Sequence, residues 1–224
     1  DDTFWDIKST IINAEINSRK WSESRIGEKI EWGTFEDFMQ IRNELVKEDP
    51  SLEYDLGMLR KKTIAHHTKK FFKDAKDLNE FIEDAYNFFL GERHKVTFYD
   101  GVVSVLEKLS SKYMLGVLTN GNADVNKLGI GHLFDFSISS MDVRSNKPDK
   151  GHFVRARELS KVDFKDTLHV GDHPVNDVLG ARDLGINTMW FNLNNLNWEV
   201  DENPPIQFNS WSQFINLVES SYGS

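Results

Sequence analysis

Between Ile7 and Arg93 the apolar positions recur at helical spacing. Phe35, Phe38, Met39, Leu45 and Val46 share one helical face behind Thr34, which suits a helix start. Leu78, Phe81, Ile82, Ala85, Phe88 and Phe89 repeat the pattern, with Asp77 and Glu80 resembling a capping arrangement and Gly91 a stop. Asp49-Pro50 breaks the helices between them. These stripes predict a helical bundle packed on its own aromatic residues. Lys61, Lys62, His66, His67, Lys69 and Lys70 read as a solvated face. Adjacent helical histidines point about 100° apart, which makes His66-His67 a poor metal pair.

From Val96 the period changes. Tyr99-Asp100-Gly101 is a turn, and Val102, Val105, Leu106 and Leu109 mark an amphipathic helix. Apolar strands are predicted at Tyr113–Leu118, Phe134–Ser139, Leu168–Val170 and Asn187–Phe191, with an edge strand at Ile206–Phe208 after Pro204-Pro205. Helices are expected over Ala123–Leu128, over Lys150–Leu159, from just past Asp172 to Leu184, where Gly185 ends it, and over Trp211–Val218. Strands alternating with helices imply an α/β fold with a doubly wound parallel sheet. The helical block is then an insert near its start. The expected division is a core of residues 1–12 and 95–224 around a helical insert of residues 13–94.

Composition narrows the classes. The 224 residues suffice for one large domain, or for a core with a smaller insert. There is no cysteine, so disulfides and thiolate chemistry are excluded. A formal charge of −9 argues against a general nucleic-acid binder. No apolar run is long enough to span a membrane and no secretory leader is read, so a cytoplasmic protein is expected.

Candidate chemistry follows each core strand. Thr119-Asn120-Gly121 closes the first, where a hydroxyl and neighbouring N–H groups can hold a phosphoryl oxygen. Lys147 lies beyond the second, its backbone biased toward an extended form by Pro148. Asp172 and Asp177 follow the third, and paired carboxylates suit a hard cation. Each alone reads as a turn residue, a surface lysine or a helix cap. Hydroxyl, lysine and paired carboxylates in that order are hard to obtain by chance. The run Asp1-Asp2-Thr3-Phe4-Trp5-Asp6 adds two carboxylates and a hydroxyl with no strand before them, and reads as a cut through an element.

With these residues the chain resembles the haloacid dehalogenase (HAD) superfamily of phosphohydrolases. Thr119, Lys147 and Gly171-Asp172 with Asp177 match its second to fourth motifs. Asp1 and Thr3 match the second half of its first motif, Asp-x-Asp-x-Thr. The resemblance implies a Rossmann-like HAD core whose first strand is truncated here, with a C1 helical cap. It implies a nucleophilic aspartate two residues before Asp1, and Asp1 as general acid and then base. Thr119, Asn120 and Lys147 would bind phosphate, and Asp1, Asp172 and Asp177 would serve a Mg²⁺ ion. Asp177 would orient Lys147 or a metal-bound water.

The implied activity is Mg²⁺-dependent hydrolysis of a small phosphorylated metabolite through an aspartyl-phosphate, by a monomer or homodimer with no nucleic-acid or membrane partner. The first-motif run, with Thr119-Asn120-Gly121-Asn122 and Val170-Gly171-Asp172, is most similar to bacterial flavin-pathway phosphatases of riboflavin biosynthesis. That points to 5-amino-6-(5-phosphoribitylamino)uracil or FMN as substrate. A dehalogenase lacks the second aspartate, so Asp1 favours a phosphatase. The alternatives are a HAD-type phosphomutase, or a non-catalytic binding module should the upstream aspartate be absent. Arg60, Lys61 and Lys62 either face the substrate or belong to a solvated face.

Overall fold

The computed structural model describes residues 1–200 and 203–222. It divides into two compact units, one of Asp1–Asp6 with Val96–Ser224 and one of Ile7–Lys95.

The helical unit contains α1 (Ile7–Ile26), α2 (Phe35–Glu48), α3 (Leu56–Thr68) and α4 (Ala75–Arg93). Its core is Ala14, Leu59, Phe81, Ile82, Ala85 and Phe89, with Trp21 stacked on Phe81 and Phe88. Thr34 caps α2 in a reciprocal capping box with Asp37. Four expectations are corrected here. No residue of α2 is buried and Phe35 is 72% exposed, so its apolar face is not core. Asp74, not Asp77 with Glu80, caps α4 through the Lys76 N–H, one turn earlier than expected. The helix also continues through Gly91 to Arg93, since a 19-residue helix absorbs the roughly 1 kcal/mol cost of an interior glycine. His67 is buried against the Glu31 carbonyl rather than solvated.

In the other unit, α5 (Val102–Ser110) leads to β1 (Gly116–Thr119) and β2 (Phe136–Ser139), then α6 (Ser140–Val143) and α7 (Gly151–Ser160). β3 (Leu168–Gly171), α8 (Gly180–Arg182), β4 (Asn187–Phe191), β5 (Ile206–Phe208) and α9 (Phe214–Tyr222) complete it. All strand pairs are parallel, in the orders β1-β2 and β3-β4-β5. Val102, Val105, Leu106, Leu109, Phe214 and Val218 pack with Met189, Phe191, Phe208 and Trp211 in the main core. Phe153, Ala181 and Ile186 form a second, smaller core. The helix expected at Ala123–Leu128 is absent, because the Asp124 side chain takes the Asn126 N–H in a local turn that competes with helix. The helix expected after Asp172 begins as a wide π-type turn, Pro174–Leu179.

β4 is buried along most of its length, whereas β1 and β3 are only partly buried. The reason is a cavity of about 920 Å³ lined by both, by Leu106, Leu109, Phe214 and Val218, and by Phe153 and Ile186. Among the described residues β1 pairs with β2 and β3 with β4, and no strand joins β1 to β3.

A candidate active site at the carboxyl ends of β1 and β3

One end of this cavity carries Asp1, Asp2, Thr3, Thr119, Asn120, Lys147, Asp172 and Asp177. The structure thus brings Asp1, Thr3, Thr119, Asn120, Lys147, Asp172 and Asp177 into one cavity of one unit. Ligands of open α/β sheets bind at this strand edge.

Lys147 is buried and held from several sides. Its Nζ donates to the Leu118 carbonyl at 3.0 Å and to Asp177 Oδ1 at 2.5 Å. The Asn120 side chain clamps its backbone, donating to the Lys147 carbonyl at 2.9 Å and accepting from its N–H at 2.7 Å. Asn120 therefore uses both ends of its amide on the lysine loop, and its side chain braces Lys147. The Thr119 hydroxyl accepts from Gly121 N–H at 2.9 Å, leaving its proton available to an anion. His152 Nε2 meets the Thr119 carbonyl at 3.0 Å.

Asp177 is positioned by the π-type turn. His173 Nδ1 accepts from the N–H groups of Val175 and Asn176, and the His173 N–H donates to Asp177 Oδ2 at 3.0 Å. His169 Nε2 lies 3.1 Å from Asp177 Oδ1. Burial works against ionisation of Asp177, but the His169 hydrogen bond and the Lys147 charge outweigh it and hold the carboxyl well below its ordinary range. With donors on both oxygens, Asp177 is first the anchor of Lys147. Burial pushes His169 down, so the neutral ring donates from Nε2. The sequence reading missed His169, although a histidine between Leu168 and Val170 in a parallel strand was the available signal.

Gly171 is required where Asp177 folds back, because a Cβ there would lie 2.2 Å from Asp177 Cγ. Gly171→Ala is expected to cost about 1–3 kcal/mol through overpacking. It should also lower turnover by displacing the anchor of Lys147. Chemical denaturation and steady-state kinetics check both, and an unchanged kcat would remove the anchoring role.

Asp172 accepts from the Thr3 hydroxyl at 2.8 Å, and the Thr3 carbonyl is held by Trp211 Nε1 at 2.9 Å. Burial raises the Asp172 carboxyl, and the charges of Asp177 and Asp2 add to the rise. Tyr99 is pushed up to about 12 by burial and by Asp2, Asp6 and Asp172. Negative charge is therefore in excess at this end of the cavity, and a hard cation fits it. Among the described residues no three His, Cys, Asp or Glu side chains form a metal cage. One or two carboxylates with carbonyl and water oxygens suffice for Mg²⁺. In metal-free buffer Asp172→Asn is expected to raise the Tm by a few degrees, since it removes a charge whose ionisation opposes folding. Mg²⁺ should raise the Tm of the parent and not of the variant. An equal Mg²⁺ shift in both would exclude Asp172 as a ligand.

Residues 33–191 match the sequence profile of the haloacid dehalogenase-like hydrolases, and the chain belongs to that family. It is 22% identical over 222 residues, 97% of this chain and 93% of the relative, to the 5-amino-6-(5-phospho-D-ribitylamino)uracil phosphatase YigB of Escherichia coli K12. It is 31% identical over 108 residues to the phosphoserine phosphatase of Thermus thermophilus, covering 46% of this chain and 43% of that one. Among solved structures, a 2-haloacid dehalogenase from Pseudomonas syringae pv. tomato DC3000 superposes with a TM-score of 0.90 at 32% identity, covering 98% of this chain and 95% of that one.

Proposed function

We propose that this protein is a phosphatase that hydrolyses a small phosphorylated metabolite. The observation that carries the reading is the locked Lys147 ammonium sharing one cavity with the Thr119 hydroxyl and with Asp1 and Asp172. Lys147 and Thr119 bind the phosphoryl oxygens and offset charge as it shifts across them in the transition state. An aspartate two residues before Asp1, reaching the site on a strand between β1 and β3, is the proposed nucleophile, and an aspartyl-phosphate forms on it. The Asp1 side chain protonates the leaving alkoxide, then takes a proton from the water that hydrolyses the acyl phosphate. Asp172 and the Asp1 carbonyl would hold a Mg²⁺ ion, which when bound would supply positive charge to the phosphoryl oxygens. The family likeness and the Escherichia coli relative favour an aminouracil ribityl phosphate or FMN as substrate, with Ile7–Lys95 acting as a C1 cap.

The Pseudomonas syringae neighbour gives a second reading, a dehalogenase. A halide leaves without a proton, so Asp1 has acid work to do only with an alkoxide. Phosphate release from an ester panel that includes both flavin-pathway candidates, run beside halide release from 2-haloacids, separates the two. Phosphate release supports the proposal, and halide release alone overturns it. Isomer interconversion with sugar phosphates would instead mark a phosphomutase.

A further inference from the structure

The helical unit concentrates arginines around a single carboxylate. Arg60, Lys61 and Lys62 are each paired, with Glu15 at 2.7 Å, Glu83 at 2.7 Å and Asp49 at 3.1 Å. Glu15 also receives Arg19 Nε at 2.9 Å, and Arg60 lies over the Phe89 ring at 3.4 Å. Arg42 is different. It is half-buried and makes no hydrogen bond or ion pair among the described residues, its contact being the Phe38 ring at 5.5 Å. The Arg19 guanidinium lies 6.0 Å from the same ring and 5.3 Å from Trp32.

Three guanidiniums thus gather with one carboxylate in a chain of formal charge −9. Burial and the nearby Arg60 charge lower the Arg42 pKa to about 10, with Glu15 opposing. Desolvating an unpaired cation beside another is unfavourable, and an apolar side chain would suit the position better. A planar fork left open in such a place matches the two oxygens of a phosphate or carboxylate.

We propose that Arg42, with Arg19 beside the same Phe38 ring, forms an oxyanion-binding site for a phosphate- or carboxylate-bearing small molecule. The site itself stands independently of the phosphatase reading, and only the kinetic readout of its source rests on that reading.

Thermal melting in inorganic phosphate against chloride at matched ionic strength tests it, in a Lys147→Met background that weakens phosphate binding in the core. Phosphate should raise the Tm in that background, and adding Arg42→Leu should abolish the rise. Arg42→Leu should also melt higher than its parent in chloride, which a structural arginine would not allow. Arg42→Lys keeps charge and loses the fork, and should bind phosphate about tenfold more weakly. No phosphate effect, an undiminished one in Arg42→Leu, or a lower melting point of that variant in chloride would overturn the site. The source of the oxyanion is read from kinetics of Arg42→Leu. A KM rise confined to esters with a second anion marks the substrate, and an unchanged KM marks a separate effector.

Discussion

In a protein that carries the aspartate two residues before Asp1, Lys147→Met is expected to lower kcat by a factor of about 10²–10³, the scale for losing one preorganised electrostatic contact in the transition state. The loss also reaches the fold, because Lys147 and Asp177 form a buried pair with side chains 9% and 7% exposed. Removing one partner leaves an uncompensated charge, which costs about 3–5 kcal/mol. For a protein of this size that lowers the Tm by on the order of 10 °C. Lys147→Met with Asp177→Asn should recover part of the Tm and none of the turnover, separating the two roles. Lys147→Arg should rescue poorly, since a broad fork replaces a compact charge. Near-parental kcat in Lys147→Met would remove the lysine from the chemistry, whatever its effect on melting.

An extended apolar strand seated between β1 and β3 is expected to raise stability and activity together. The cavity is bordered by two strands whose facing edges have no partner strand among the described residues, and its other walls come from Leu106, Leu109, Phe214, Val218, Phe153 and Ile186. About five new backbone hydrogen bonds, each worth roughly 1 kcal/mol net, give a gain on the order of 5 kcal/mol before apolar burial is added. The test places five apolar residues and Asp-x ahead of Asp1 and compares melting and Mg²⁺-dependent phosphate release with and without them. A higher Tm with new activity supports both the strand and the nucleophile. Asparagine in place of the added aspartate should keep the Tm gain and lose the activity. An unchanged Tm would show that the cavity is not a strand site, and equal activity would dismiss the added aspartate as nucleophile.

The parallel sheet was legible because buried strands write themselves as short apolar runs, and Asn187–Phe191 was read at its observed bounds. The site was legible where chemistry follows a strand directly, as with Thr119 and Asp172. It was less so where a role depends on a distant partner. Asp177 follows Asp172 by five residues and reads either as serving a metal or as orienting Lys147, and only the fold brings Lys147, thirty residues away, into contact with it. Arg60, Lys61 and Lys62 looked available in sequence, whereas carboxylates brought by folding from Glu15, Glu83 and Asp49 occupy them. Arg42 has no motif at all, and only burial without a partner sets it apart. The partly covered face of α2 shows the same limit, since helical periodicity does not say how far a face is covered.

The enclosure of Lys147 also sets its reactivity. A primary amine must be deprotonated and reachable before an acylating reagent can modify it. Lys147 is shielded from solvent and bound to two acceptors, whereas Lys29, Lys76 and Lys95 present side chains that are 70–91% exposed. The amine on which phosphate binding rests is therefore the one a chemical footprint should find last, and its labelling becomes a clock for opening of the loop that carries it.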